Sequence, residues 1–438
     1  MSLSPPPAAL APAGRRWFAV ALVVLFLGLG VKYSFKALAN RSAFDRWRPQ
    51  VQAMEQGIDI SARFNYPNPP VMALVLEPLT HLPPVWGALA WFYLKVAMAL
   101  LALRWVFQMV ADAGRPFPAW AQALAALLSL KPIIDDLQHG NVNLFILFLV
   151  VASLAAYHRR RDLLAGLVLG LAIACKVTPA LFVPYFFWKR SWRALAGCAL
   201  GLALFLWPGF VPALRLGWGA NQQQLASWYR DMVRPFVIEG KVTGEHNNQS
   251  LPGLVARLAT HSPSFVTYPD NVWTPARYDN RLDLSPAQAR WLVKGCMGLF
   301  ALLLVWSCRT PTAPRGGWRL AAEFSLVLLG MLLFSERTWK HHCVTLALPF
   351  AVLCYYLAAC RPGPALRAYL IASLAVVVAL LFSTTGFQGA EGGRHPAQYG
   401  TFAKQAQVYG AYVWAYLVLS AALVVLLRTP SPASAETP

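Results

Sequence analysis

The feature that most constrains this chain is the recurrence of apolar runs about twenty residues long, separated by short basic clusters. The first run, WFAVALVVLFLGLGVKYSF, begins at Trp17 directly after Arg15-Arg16. Runs of that length match the hydrocarbon thickness of a bilayer. Only 13% of residues are charged and 57% are hydrophobic, too little polar surface for a soluble chain of 438 residues,. Lipid is therefore the solvent for much of it. The net charge of +20 would suggest nucleic acid in a soluble protein. Here the cations lie between spans, as the positive-inside rule expects, and no nucleic-acid partner is implied.

Length and flanking charge predict spans near 17–35, 85–111, 117–131, 142–157, 194–213, 291–309, 318–336, 342–360, 366–384 and 409–428,. The first reads as a retained signal anchor with its N-terminus inside. The segment 163–188 is apolar but is interrupted by Lys176 and Thr178-Pro179. It has basic clusters at both ends, Arg159 to Arg161 and Lys189, Arg190 and Arg193. Read as a re-entrant or broken segment, it leaves every basic loop cytoplasmic. The fold class is then an all-α polytopic membrane protein of about ten spans, multi-pass in the plasma (inner) membrane, with both termini cytoplasmic. Residues 1–430 form one transmembrane domain with outward loops 36–68, 132–141, 214–290, 335–342 and 385–408. The Pro/Ser-rich tail 431–438 reads as disordered.

Candidate chemistry concentrates in the outward loops. Asp45 and Asp59 share the first of them. A carboxylate outside the membrane suits the general base of an inverting glycosyl transfer; the plain alternative is an ion pair with Arg46, Arg48 or Arg63. Asp135 and Asp136, followed by His139, Asn141 and Asn143, offer ligands for a divalent cation or polar caps on two span ends. Lys176 is costly inside an apolar segment and is either a phosphate ligand or a side chain snorkelling to cytoplasmic headgroups. Glu336, Arg337, Lys340, His341 and His342 crowd the end of a span. Arg337, Lys340 and His342 suit phosphate or sugar, or else form an interfacial ring of charge. In the long loop, His246, Asn248 and Gln249 stand among Trp218, Trp228, Tyr229, Trp273 and Tyr278. Amides beside aromatic faces suit a sugar, and they equally suit packing of the loop itself. The seven cysteines show neither CxxC nor metal-ligand spacing and read as small buried hydrophobes,. No phosphate-binding glycine loop occurs, which argues against a soluble nucleotide donor.

The order of these features resembles a known family. The first span, the acidic loop, Gly57-Ile58-Asp59-Ile60 and then FNYPNPP resemble glycosyltransferase family 87, the polyprenyl-phosphate-mannose-dependent group of the glycosyltransferase-C superfamily. QHGNVNLFILFLVVASL, AGLVLGLAIACKVTPALFVPYFFWKRSWRALAG, NNQSLPGLVARL and SERTWKHH agree with its later stretches, so the resemblance covers most of residues 16–360. It implies a glycosyltransferase-C-like bundle with its site on the extracytoplasmic face. It further implies a lipid-linked hexose donor, usually mannose, a glycan or glycolipid acceptor and inversion at the transferred sugar. An Asp of the first outward loop would be the base, and Tyr66 within FNYPNPP would join the sugar site. Where the family reads D-F-x-x-Y/W, this chain reads Phe44-Asp45-Arg46-Trp47, so Asp45 and Asp59 both stand as candidates. The competing class is a transporter or flippase of lipid-linked sugars, for which a broken helix with a Lys would also serve; no internal repeat supports it.

Overall fold

The helices form where apolar length and turn chemistry dictate, and a computed structural model shows how they pair. It describes residues 12–313, 315–386 and 399–429. The expected disordered tail 431–438 lies outside the described residues, as does 387–398 of the last outward loop. Among the described residues, seven segments are long and apolar enough to cross a bilayer: Val20–Leu38, Pro84–Val110, Trp192–Leu216, Pro286–Ser307, Lys340–Ala359, Pro364–Ser383 and Ala411–Arg428. Each coincides with an expected span. The other three expected spans are helical too, but shorter or more polar. Ala119–His139 carries Lys131, Asp135 and Asp136 in its last turns, and Asn143–His158 and Trp318–Leu333 have 16 residues each. Sixteen residues reach about 24 Å, short of the hydrocarbon thickness.

The chain divides into two compact units. The first comprises Met1–Met232, Arg315–Trp318 and Phe350–Ala359. Its helices are α1 (Pro12–Leu38), α2 (Ala43–Glu55), α3 (Ile60–Phe64), α4 (Pro70–Thr80), α5 (Pro84–Val110), α6 (Ala119–His139), α7 (Asn143–His158), α8 (Asp162–Cys175), α9 (Phe182–Trp188), α10 (Trp192–Phe205), α11 (Phe210–Leu216) and α12 (Trp218–Trp228). Proline at the first turn starts α4 and α5, where its missing N–H costs nothing,.

The broken segment is resolved by the contact between α8 and α10. A Cβ built on Gly166 would meet Ala194 O at 1.9 Å, and one on Gly197 would meet Leu163 O at 2.2 Å. Gly201 faces Leu167 and Gly170 faces Leu202. The partners advance in step, so α8 and α10 run parallel at backbone contact, a spacing only glycine permits. Two parallel neighbours require the chain between them to return. It does so through a 3₁₀ turn at Thr178–Leu181 and α9. The return brings both basic flanks to one end: the Tyr157 and Ser191 hydroxyls lie 2.7 Å apart, and Arg315 binds Tyr157 O and the Asp162 carboxylate. The same end holds Gly317 N on Met109 O at 3.0 Å, and the Tyr355 hydroxyl joins Asp112 N to Arg115 O.

The second unit comprises Val233–Pro314, Arg319–Pro349 and Cys360–Pro438. It contains α13 (Leu251–Ala259), the antiparallel hairpin β1 (Pro263–Thr267) and β2 (Thr274–Tyr278), α14 (Pro286–Ser307), most of α15 (Trp318–Leu333), the start of α16 (Ala347–Ala359), α17 (Pro364–Ser383), α18 (Phe402–Val408) and α19 (Ala411–Arg428). A capping box between Ser285 and Gln288 fixes where α14 begins,. The Arg257 guanidinium, fully buried, gathers the backbone carbonyls of Gly244, Glu245, Asn248, Gln407 and Val408. It thereby closes the long loop onto the segment before α19.

Candidate functional site

At the end of the first unit opposite the basic flanks, α1 hands over to α2 through Ser42. Ser42 caps α2: its hydroxyl accepts from Asp45 N at 3.2 Å and from the Tyr33 hydroxyl at 3.2 Å, and donates to Asp45 Oδ2 at 2.5 Å,. The C-cap of α6, Gly140, lies against this pair; a Cβ there would meet Tyr33 Oη at 2.6 Å and Ser42 Cβ at 3.0 Å. Its positive φ of 72° further favours glycine,. Asp45 is left 8% exposed. Burial raises its pKa, opposed by the hydrogen bonds from Ser42 and by the nearby charges of Arg46 and Arg48. A raised pKa makes the carboxylate a better proton acceptor.

Asp59 is used differently. It caps α3, accepting from Ala62 N at 3.1 Å, and is partly exposed. Gln224 clamps its surroundings, donating to Ile58 O at 2.7 Å and accepting from Ile60 N at 3.1 Å. Tyr66 is fully buried with its ring edge-on to Trp47, the centroids 6.0 Å apart.

The loop between α6 and α7 forms a second polar centre. Lys95, from the middle of α5, and Asp136, from the last turn of α6, are both fully buried and pair at 3.2 Å. The Lys95 ammonium also donates to Asp136 O and Asn141 O, each at 2.9 Å, which satisfies all three of its protons. Asp136 Oδ1 accepts from the Asn143 amide at 3.0 Å, and Oδ2 accepts from Leu144 N at 3.3 Å. Asn141 Oδ1 accepts from Val142 N at 2.7 Å, and His139 ends α6 beside it. Lys176 stands at the break after α8 and donates to Asn143 Oδ1 at 2.6 Å. It therefore lies at the tip of the returning segment, at the end away from Arg159–Arg161. The two adjacent acids do not converge on one ion: Asp135 turns to Lys131 at 2.6 Å while Asp136 turns inward. Among the described residues, the group of acids and histidine close enough to share a cation is Glu55, Glu77 and His81, none of which the sequence reading singled out.

The structure brings together Asp45's cap with the end of α6, and Asn141, Asn143 and Lys176 with Lys95 and Asp136. Sequence reasoning missed Ser42, Tyr33 and Lys95. A signal for Lys95 was present, since a Lys in the middle of a 27-residue apolar helix satisfies the same criterion that singled out Lys176.

The remaining candidate residues lie in the second unit. Asn248 is fully buried, and its Oδ1 accepts from Ser250 N and Oγ and from Thr338 N, while its amide donates to Thr243 O and Glu336 O. Gln249 donates to His246 O and Gln407 O and accepts from Tyr412 N. Both amides thus tie the loop's backbone to that of the segments around Glu336–Thr338 and Gln407–Tyr412. His246 stacks on Phe265, its Nε2 3.1 Å from Lys404 Nζ. Burial, with Lys404 next, lowers its pKa to about 3 and keeps the ring neutral. Arg337 pairs loosely with Glu336 at 3.9 Å and lies over Trp339; Lys340 donates to Thr384 O at 2.6 Å. The His342 ring lies near-parallel to that of Trp339, 6.3 Å away.

Comparison with known proteins relates the sequence of this chain to one family. Residues 66–336 match glycosyltransferase family 87. A polyprenol-phosphate-mannose-dependent alpha-(1-2)-phosphatidylinositol mannoside mannosyltransferase of Mycolicibacterium smegmatis is 29% identical, over 60% of this chain and 54% of its own length. The protein of that name from Mycobacterium tuberculosis is 25% identical, over 66% and 61%. A pentamannoside mannosyltransferase of M. smegmatis is 28% identical over 48% of each chain. The match thus spans between half and two thirds of the length of the first two relatives. No solved structure matches this chain significantly. With well over half the chain matched by one family, and with the expected membrane helices in place, this protein belongs to glycosyltransferase family 87.

Proposed function

We propose that this membrane-embedded protein is an inverting mannosyltransferase that moves a mannosyl group from a polyprenyl-phosphate donor to a hydroxyl of a glycolipid acceptor on the extracytoplasmic face of the plasma (inner) membrane. The donor and the acceptor class follow the names of the relatives. The observation that carries the reading is the burial of Asp45 under its Ser42 cap, which keeps a carboxylate basic and fixed in orientation. In the step, the acceptor oxygen forms a bond to the anomeric carbon as the bond from that carbon to the phosphate oxygen breaks. Asp45 takes the hydroxyl proton, and the polyprenyl phosphate leaves with the electron pair. The Lys176 ammonium, held on Asn143, neutralises the charge gathering on the phosphate,. His139 and Asn141, at the turn from α6 to α7, are assigned to the sugar, and Tyr66 supports α2 from beneath Trp47. Holding donor and acceptor in register supplies the remainder of the acceleration.

The test is sugar transfer by purified protein from a panel of polyprenyl-phosphate sugars, with Asp45→Asn and Asp59→Asn alongside. Transfer from the mannosyl donor that falls by about a hundredfold or more in Asp45→Asn, and persists in Asp59→Asn, supports the assignment. Loss only in Asp59→Asn moves the base to the α3 cap. Protein-dependent movement of the lipid across a bilayer without transfer establishes the transporter class instead.

A further inference from the structure

Lys95 and Asp136 have no part in the step above, yet they are a fully buried ion pair between α5 and α6 of the first unit. Such a pair is expensive to bury and often dispensable for stability, since apolar replacements of both partners are frequently neutral. Its geometry shows what it does. Asp136 is a carboxylate and only accepts hydrogen bonds. Its Oδ1 takes a proton of the Asn143 amide at 3.0 Å, so the nitrogen side of that amide must face Asp136. The carbonyl side, Oδ1, then faces away, and the Lys176 ammonium is on it at 2.6 Å. Were the amide turned over, its NH₂ would oppose the ammonium and release it. Lys95 fixes the carboxylate, holding Asp136 Oδ2 at 3.2 Å while its other protons hold the backbone on either side of Gly140.

We propose that Asp136, fixed by Lys95, is a positioning residue that sets the orientation of the Asn143 amide and through it holds the Lys176 ammonium for the donor phosphate. The inference rests on the reading of Lys176 as a phosphate ligand. Lys176 is the C-cap of α8, at the break of the returning segment. The Asn143 amide is a constraint on its aim that this network supplies.

The experiment is steady-state kinetics of the full chain in detergent with a polyprenyl-phosphate-mannose donor, with the melting temperature measured on each variant. Asp136→Asn leaves the shape but lets either face of an amide meet Asn143; the expected result is a donor KM raised about tenfold, the worth of one hydrogen bond to a charged group. Because Lys176 meets charge that builds as the bond to phosphate breaks, kcat is expected to fall as well, while acceptor KM is expected to stay near wild type. Asp136→Asn strands the Lys95 charge and so destabilises the fold, and the paired variant Lys95→Met/Asp136→Leu therefore removes both charges. It is expected to melt near wild type and still show the raised donor KM. A stably folded paired variant with wild-type donor KM would reduce the pair to a structural role and overturn the proposal. Lys176→Ala separates the two readings. If it raises donor KM and adding Asp136→Asn raises it no further, both stand. If Lys176→Ala keeps the wild-type donor KM, the phosphate reading fails, and with it the reason for positioning.

Discussion

At the scale of single residues, the cap of α2 decides how Asp45 behaves. The Ser42 hydroxyl both caps the helix and donates to the carboxylate, so it holds the Asp45 pKa below where burial alone would put it. Removing it in Ser42→Ala therefore raises that pKa further. A base works only when deprotonated, so the acidic limb of the pH–rate profile moves to higher pH, while the alkaline limb is unchanged. Loss of the cap also costs about 1 kcal/mol of stability. A pH profile with a thermal melt checks both; an acidic limb that stays in place would show that Asp45 is not the titrating group. For stability the sign is opposite to the usual carboxylate case. Because the folded pKa of Asp45 lies above the unfolded value, its neutral form favours the fold, and that contribution fades as pH rises through the folded pKa.

At the scale of elements, the parallel contact of α8 and α10 is the part of the fold least tolerant of added volume. Gly166→Ala would place a methyl group 1.9 Å from Ala194 O, so one helix must move. The expected cost is about 1–3 kcal/mol, read as a lowered melting temperature in detergent. Gly295, on α14, is the control. Nothing lies within 4 Å of a Cβ there, and alanine is the better helix former by about 1 kcal/mol. Gly295→Ala should melt at or above wild type. Equal melting temperatures for the two variants would mean that α8 and α10 do not touch as described. Because the returning segment hangs from α8, Gly166→Ala should also disturb the setting of Lys176.

At the scale of the whole molecule, the first unit makes a sidedness prediction. The basic flanks at Arg160 and Arg190 share one end, since Tyr157 meets Ser191 there; the loop carrying Gln56 lies at the other end of α1 and α5. In sealed vesicles of the protein with its native cysteines replaced, Arg160→Cys and Arg190→Cys should be modified by an impermeant thiol reagent from the same side, and Gln56→Cys from the opposite side. Labelling of positions 160 and 190 from different sides would make 163–188 a complete crossing and reverse every later loop.

What the sequence determined by itself was whatever depends on local length and local chemistry. Apolar runs of bilayer length located the spans, Thr178-Pro179 and Lys176 marked the break, and ordered short motifs pointed to the family. These are legible because an isolated helix in lipid must satisfy its own backbone, and proline cannot. Which side chains are buried, and on what they spend their hydrogen bonds, was decided only by the tertiary structure. Asp45 and Asp59 look alike in one loop, yet one is buried under Ser42 while the other caps a short helix pinned by Gln224, 164 positions away in the chain. Asn248 and Gln249 have the chemistry of sugar ligands, and the fold uses it to hold backbone from segments as distant as Gln407. Lys95 reads as one polar residue in a span until Asp136, 41 positions on, closes beside it. Burial and partnership are set by contacts between distant segments, and a linear pattern does not contain them.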